Sequence, residues 1–193
     1  HLGLHMGDEN PLSRAALDSL ADSIEKNLDI DQLLKIETNI ETISQEAFTV
    51  AARPQTPEKT VMAVASDKAF CFYYKENLEL FERAGFTIKT FSPLSDRKIP
   101  EQCQMIYLGG GYPELFAEPL SENSTMRARI REKSKDEMPM YGECGGFMYL
   151  CREIRGIDGK QYPMTGCFPF ATIMHDRLKS LGYREITFTR DTI

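Results

Sequence analysis

Histidine is scarce in this sequence. Only three occur in 193 residues, at positions 1, 5 and 175. A cysteine or serine nucleophile normally needs an imidazole base, so this scarcity limits any acyl-transfer chemistry the chain can complete alone. Positive charge is also thin: 23 Lys and Arg face 29 Asp and Glu, for a net charge of −6. No basic stripe is present for nucleic acid, and no Lys/Arg cluster for an anionic membrane surface. Apolar runs are too short to span a bilayer, and the first residues do not read as a signal peptide, so a cytoplasmic chain without a membrane partner is expected. The five cysteines (71, 103, 144, 151 and 167) are scattered, without a Cys-x-x-Cys pair. That excludes a zinc ribbon or thioredoxin-like site, and fits a reducing compartment rather than a disulfide framework. Internal repeats and low-complexity tracts are absent. What remains is ordinary for a globular protein: 41% hydrophobic and 27% charged residues, enough for one core plus an appendage.

The first fifty residues differ from the rest. Asn10-Pro11 has the form of a helix start, with a capping side chain followed by proline, and Leu17, Leu20, Ile24 and Leu28 recur at helical spacing. Asp29 caps a second short helix running to Leu34. A polar stretch with two prolines, Arg53 to Lys59, reads as a linker. We therefore expect a helical segment over 1–50, a linker over 51–59 and the main domain over 60–193. The pattern after the linker is α/β. Val61 to Ala65 is a continuous apolar run, as a strand buried on both faces requires. A helix through Leu78 and Phe81 stops at Gly85. Strands follow at Phe86–Phe91 and Met105–Leu108, an exposed helix near 121–136, and a fourth strand at Met138–Tyr141. Such alternation predicts a doubly wound, mostly parallel sheet, with ligands at the carboxyl ends of its strands.

Two glycine clusters lie at such ends. Gly142-Glu143-Cys144-Gly145-Gly146 follows the fourth strand and precedes a helical stretch. Gly-x-Cys-x-Gly is the thiol form of the nucleophile elbow, in which a sharp strand-to-helix turn presents the nucleophile at a helix N-terminus. Cys144 is the candidate nucleophile and the Gly145 N–H the first oxyanion donor. The bland alternative is a buried, inert thiol. The other cluster, Gly109-Gly110-Gly111-Tyr112-Pro113-Glu114, could be a simple flexible turn. Its functional reading gives Gly110 as second oxyanion donor, with Gly111 and Tyr112 near the substrate. No Gly-Lys-Ser/Thr follows, so it is not a nucleotide-binding loop. Asp67 and Lys68, after the first strand, are candidates to touch a polar substrate or partner domain. His175, past the fifth probable strand, is the one nearby base candidate by residue type, and a lone histidine there is more commonly a surface residue.

Taken with Asp67-Lys68-Ala69-Phe70, Phe91-Ser92-Pro93-Leu94 and Gly182-Tyr183-Arg184-Glu185, these clusters make the chain resemble the cobyrinic acid a,c-diamide synthase family. The similarity is to the C-terminal, class I glutamine amidotransferase-like domain of the cobyrinate/cobyric-acid-synthase type, which is flavodoxin-like. It covers nearly the whole sequence, and His1-Leu2-Gly3-Leu4 resembles the end of the preceding synthetase domain. The resemblance implies that Cys144 hydrolyses glutamine. The ammonia would feed the synthetase domain, where ATP and magnesium activate the a and c acetate carboxylates of a corrinoid. A related family amidates nickel-sirohydrochlorin. The resemblance also implies a catalytic histidine in a Gly-His-x-x-x-His stretch beyond Ile193, a position His175 does not match. The isolated chain is thus expected to bind neither ATP nor metal and to show weak or no activity. The competing reading is a non-catalytic α/β binding module with a degenerate elbow.

Overall fold

A computed structural model describes residues 12–35, 60–177, 185 and 187. The chain divides into two compact units, His1–Thr49 and Val50–Ile193. In the first, α1 (Arg14–Asn27) starts at Ser13, whose side chain accepts a hydrogen bond from the Ala16 N–H at 3.2 Å. The expected start at Asn10-Pro11 lies outside the described residues, as does the linker over 51–59. Asp29 caps α2 (Ile30–Leu34) by accepting from the Gln32 N–H at 2.8 Å. Each cap takes up one donor that a helix start leaves unpaired.

The second unit is built on four parallel strands in the order β2-β1-β3-β4: β1 (Thr60–Ala65), β2 (Phe86–Phe91), β3 (Cys103–Leu108) and β4 (Met140–Gly142). Between them run α3 (Lys75–Arg83), α4 (Ala117–Glu122) and α5 (Ser124–Lys135), with α6 (Gly145–Leu150) after β4. β1 is central and buried almost throughout, and its alternation divides the core. Val61, Ala63 and Ala65 pack with Leu120, Met126, Ile130, Tyr149 and Leu150 from α4, α5 and α6. Met62 and Val64 point the other way, toward Leu78 and Phe81 of α3. Helices cover both faces, which makes the sheet doubly wound. Each large side chain fully buried here contributes about 1.5–3 kcal/mol relative to exposure.

The helix expected near 121–136 is α5, and a separate short helix, α4, precedes it. Asn123 divides the two. Its buried side chain donates to the carbonyls of Pro93 and Asp96 at 2.8 and 2.9 Å, and its oxygen caps α5 at the Met126 N–H. A smaller sheet, β6-β5-β7, follows α6, with β5 (Glu153–Arg155), β6 (Gln161–Pro163) and β7 (Ala171–Ile173). β5 runs antiparallel to β6 and parallel to β7. No helix among the described residues is long and apolar enough to cross a membrane.

The register that matters for function is between β3 and β4. Leu108, the last residue of β3, pairs with Gly142, the last of β4. Two residues further along each chain stand Gly110 and Cys144. Parallel pairing therefore delivers both glycine clusters to one edge of the sheet.

Candidate active site

Cys144 sits between β4 and α6 with φ +50° and ψ −108°. A side chain with a Cβ is strained there, at a cost of about 1–3 kcal/mol, and such strain concentrates at functional turns. The surroundings enforce it. The Glu143 N–H extends the sheet ladder to the Leu108 carbonyl at 2.9 Å. Three residues on, the Gly146 N–H is shared between the carbonyls of Gly109 and Glu143, at 2.9 and 2.8 Å. A Cβ on Gly146 would lie 1.9 Å from the Leu108 carbonyl oxygen, so only glycine lets the helix start this close to β3. The resulting turn leaves Cys144 exposed, whereas Cys103 and Cys151 are buried and their thiols are pushed up by desolvation.

The Gly109–Gly111 turn faces the elbow, and its peptide groups are aimed by named partners. Tyr73 bridges two strand ends: its hydroxyl donates to the Ala65 carbonyl and accepts from the Gly109 N–H at 2.8 Å. Burial pushes the Tyr73 hydroxyl well above the usual phenol range, which keeps it protonated and able to serve as donor. The Gly109 carbonyl accepts from Gly146 in the elbow, while the Gly110 carbonyl accepts from both the Cys71 and Phe72 N–H groups at 3.0 Å. In a trans peptide the carbonyl and the following N–H point in opposite directions. The Gly110 N–H is therefore aimed away from Gly146, and Gly110 forms an isolated bridge with Phe72. The Gly111 N–H is aimed away from residues 71 and 72. Its nitrogen lies 3.2 Å from where a Cβ on Gly145 would stand. Among the described residues no hydrogen bond takes up the N–H of Gly111 or of Gly145.

Gly111 itself has φ +157°, and a Cβ there would lie 2.1 Å from the Ala69 carbonyl oxygen. That same carbonyl accepts the Tyr112 N–H at 3.0 Å, and the Tyr112 ring packs edge-on against Phe72 with centroids 5.1 Å apart. The turn is thus packed onto segment 69–73. It is not an open cradle of amides such as a phosphate would need, and among the described residues no group of three or more His, Cys, Asp or Glu could hold a metal ion.

Segment 69–73 is in turn pinned by Asp67. One carboxylate oxygen accepts from the N–H groups of Ala69 and Phe70 at 2.8 and 3.2 Å. The other accepts from the Ser92 hydroxyl and the Leu94 N–H at 2.8 and 2.9 Å. This corrects the expectation that Asp67 touches a substrate: its acceptor sites are filled from within, and it joins the loops after β1 and β2. The neighbouring Lys68 is exposed. Glu143, beside the nucleophile, accepts a hydrogen bond from the Tyr107 hydroxyl at 3.2 Å. Burial first, and the Glu143 charge second, push that phenol up to about 12. The sequence gives no sign of the Tyr73 bridge or of the Tyr107–Glu143 hydrogen bond, since the partners are far apart along the chain. His175 is exposed beyond β7, and no hydrogen bond joins it to Cys144.

Comparison with known proteins places the sequence among named relatives. A 40% identical relative is the cobyrinate a,c-diamide synthase of Syntrophotalea carbinolica, matched over 96% of this chain and 40% of that protein. The enzymes of the same name from Caldanaerobacter subterraneus and Methanosphaera stadtmanae are each 39% identical, over 100% and 99% of this chain and 42% and 41% of theirs. The chain spans about two fifths of the length of the curated relatives it matches. Residues 61–192, most of the second unit, match the CobB/CobQ-like glutamine amidotransferase domain. That match spans well over half of the chain and includes both glycine clusters, and the chain belongs to the CobB/CobQ-like glutamine amidotransferase family.

Proposed function

We propose that the chain is the glutaminase part of a cobyrinate a,c-diamide synthase, with Cys144 as nucleophile and the N–H groups of Gly145 and Gly111 as the oxyanion hole. The observation that carries this reading is the pairing of a strained, exposed Cys144 with two backbone donors that have no other partner. Gly110 was the donor expected from sequence. Its contribution here is its carbonyl, which fixes the peptide whose nitrogen belongs to Gly111. A non-catalytic module would have no use for the elbow strain, which any ordinary turn would release.

The chemistry follows from that placement. The Cys144 thiolate attacks the side-chain carbonyl carbon of glutamine, and the carbonyl oxygen gains negative charge between the two amides. Fixed donors facing the developing charge stabilise it without reorganising, typically by 2.7–4 kcal/mol per donor. The carbon–nitrogen bond breaks as the leaving nitrogen takes a proton, giving ammonia and a glutamyl thioester. Water then releases glutamate and restores the thiol. The base that handles these protons is proposed to come from outside the described residues. In the whole protein the ammonia is used by a synthetase domain that draws on ATP and magnesium to amidate the a and c acetate carboxylates of cobyrinate. The relatives' shared name favours this corrinoid over nickel-sirohydrochlorin.

The test uses the full-length synthase carrying Cys144→Ala. Glutamine-dependent amidation should be lost while amidation with added ammonium salts persists. Equal loss of both would show that Cys144 supports the fold or the synthetase reaction instead.

A further inference from the structure

Away from the elbow, a surface cavity of about 450 Å³ opens between α5, the C-terminal end of α6 and segment 163–169. Arg127, Arg131 and Arg152 reach it, beside Met164, Phe168 and Cys167, and no carboxylate lines it. We propose that this cavity binds a multiply charged oxyanion, a phosphate or a clustered carboxylate, held by these three guanidinium groups.

The charge distribution argues for it. The chain is net negative, yet α5 carries Arg127, Arg129, Arg131, Lys133 and Lys135 against a single Glu132. Arg127 is fixed by donating to the Ser121 carbonyl at 3.0 Å and the Met164 carbonyl at 3.2 Å. Neutral carbonyls hold the fork in place and leave its charge uncompensated. Arg131, one turn along α5, has no ion pair among the described residues. Arg152 approaches Glu153 only to 3.7 Å, and the other oxygen of Glu153 is taken by Arg155 at 2.7 Å. One carboxylate thus serves two arginines, neither of which is Arg127 or Arg131. The hydroxyl of Tyr149 is buried without a hydrogen-bond partner, within electrostatic reach of Arg127, Asp67 and Cys167. Three like charges gathered around one concavity repel one another, and guanidinium groups match phosphate and carboxylate oxygens bidentately. The apolar wall of Met164 and Phe168 would shield those contacts from water. Arg131 and Arg152 play no part in the glutaminase site, so this inference stands independently of the proposed reaction.

Cys167 provides the readout. In the full-length protein, its alkylation by a neutral maleimide is followed by peptide mass spectrometry. Potassium phosphate or citrate is titrated at ionic strength held constant with potassium chloride. Saturable protection of Cys167 is expected, with at least a tenfold higher half-protection concentration in Arg131→Gln/Arg152→Gln and unchanged glutaminase turnover. Saturation by phosphate alone identifies a phosphoryl ligand, and by citrate alone a polycarboxylate. Protection by neither, protection that follows ionic strength only, or equal protection in the double variant overturns the proposal.

Discussion

Replacing Gly111 with alanine separates the two glycines that compete for the oxyanion role. The new methyl would stand 2.1 Å from the Ala69 carbonyl oxygen and 2.8 Å from its carbon, both backbone atoms that cannot rotate aside. A carbon–oxygen contact needs about 3.3 Å, so the turn must retreat by roughly 1.2 Å. That displacement breaks the Tyr112–Ala69 hydrogen bond, worth about 1 kcal/mol, and carries the Gly111 N–H out of range of the developing oxyanion. Loss of one such donor lowers kcat by about 10²–10³. Gly110→Ala is the control. Its methyl would meet Phe72 Cβ at 3.3 Å and Cys144 Cβ at 3.7 Å, contacts that need little adjustment. It should raise KM by crowding the thiol while kcat stays within about tenfold of the parent, because the Gly110 N–H is not a donor to substrate. Glutamate release by the full-length synthase measures both, with Cys144 alkylation confirming that the nucleophile stays accessible. If Gly111→Ala keeps kcat within tenfold, or Gly110→Ala loses as much, the peptide-orientation argument fails.

Three further outcomes follow from the same geometry. Asp67→Ala removes the acceptor for four hydrogen bonds and should cost on the order of 3 kcal/mol by urea denaturation, with Asp67→Asn retaining part; a loss below about 1 kcal/mol would contradict the lock. Burial raises the Glu114 carboxyl, so the folded state holds that proton more tightly than the unfolded chain and stability falls as pH rises through the raised value; Glu114→Gln should increase Tm at neutral pH, and the gain should vanish below the ordinary carboxylate range. Cys144→Gly should be more stable than Cys144→Ala by roughly 1 kcal/mol, since glycine accepts the elbow's φ and ψ without strain; a lower Tm for the glycine variant would mean that the turn is not strained.

Much of this was readable from the sequence because it rests on local rules. Val61 to Ala65 announces a doubly buried strand by its lack of polar residues, and Gly-x-Cys-x-Gly after an apolar run announces an elbow. The two-helix division at Asn123 was hidden, because a polar residue in a charged stretch gives no sign that it will be buried by the loop after β2. From the sequence, Gly110 rather than Gly111 is expected as the second donor, although both lie in the same glycine run. Gly111 is favoured by the carbonyl partners supplied by residues 71, 72 and 146, which the sequence does not reveal. Asp67 was misread for a related reason: a carboxylate at a strand's carboxyl end suits both a ligand contact and a loop lock. The choice depends on Ser92 and Leu94, 25 and 27 residues away.

The shared Gly146 N–H has a dynamic consequence. It holds the Gly109 carbonyl on one side and the Glu143 carbonyl on the other, so neither glycine turn can open without releasing the same proton. The two turns of the proposed oxyanion hole should therefore fluctuate as one local-unfolding unit rather than as two independent loops. Amide exchange at Gly146 would report the lifetime of the assembled site directly, and anything that orders one turn would slow exchange across both.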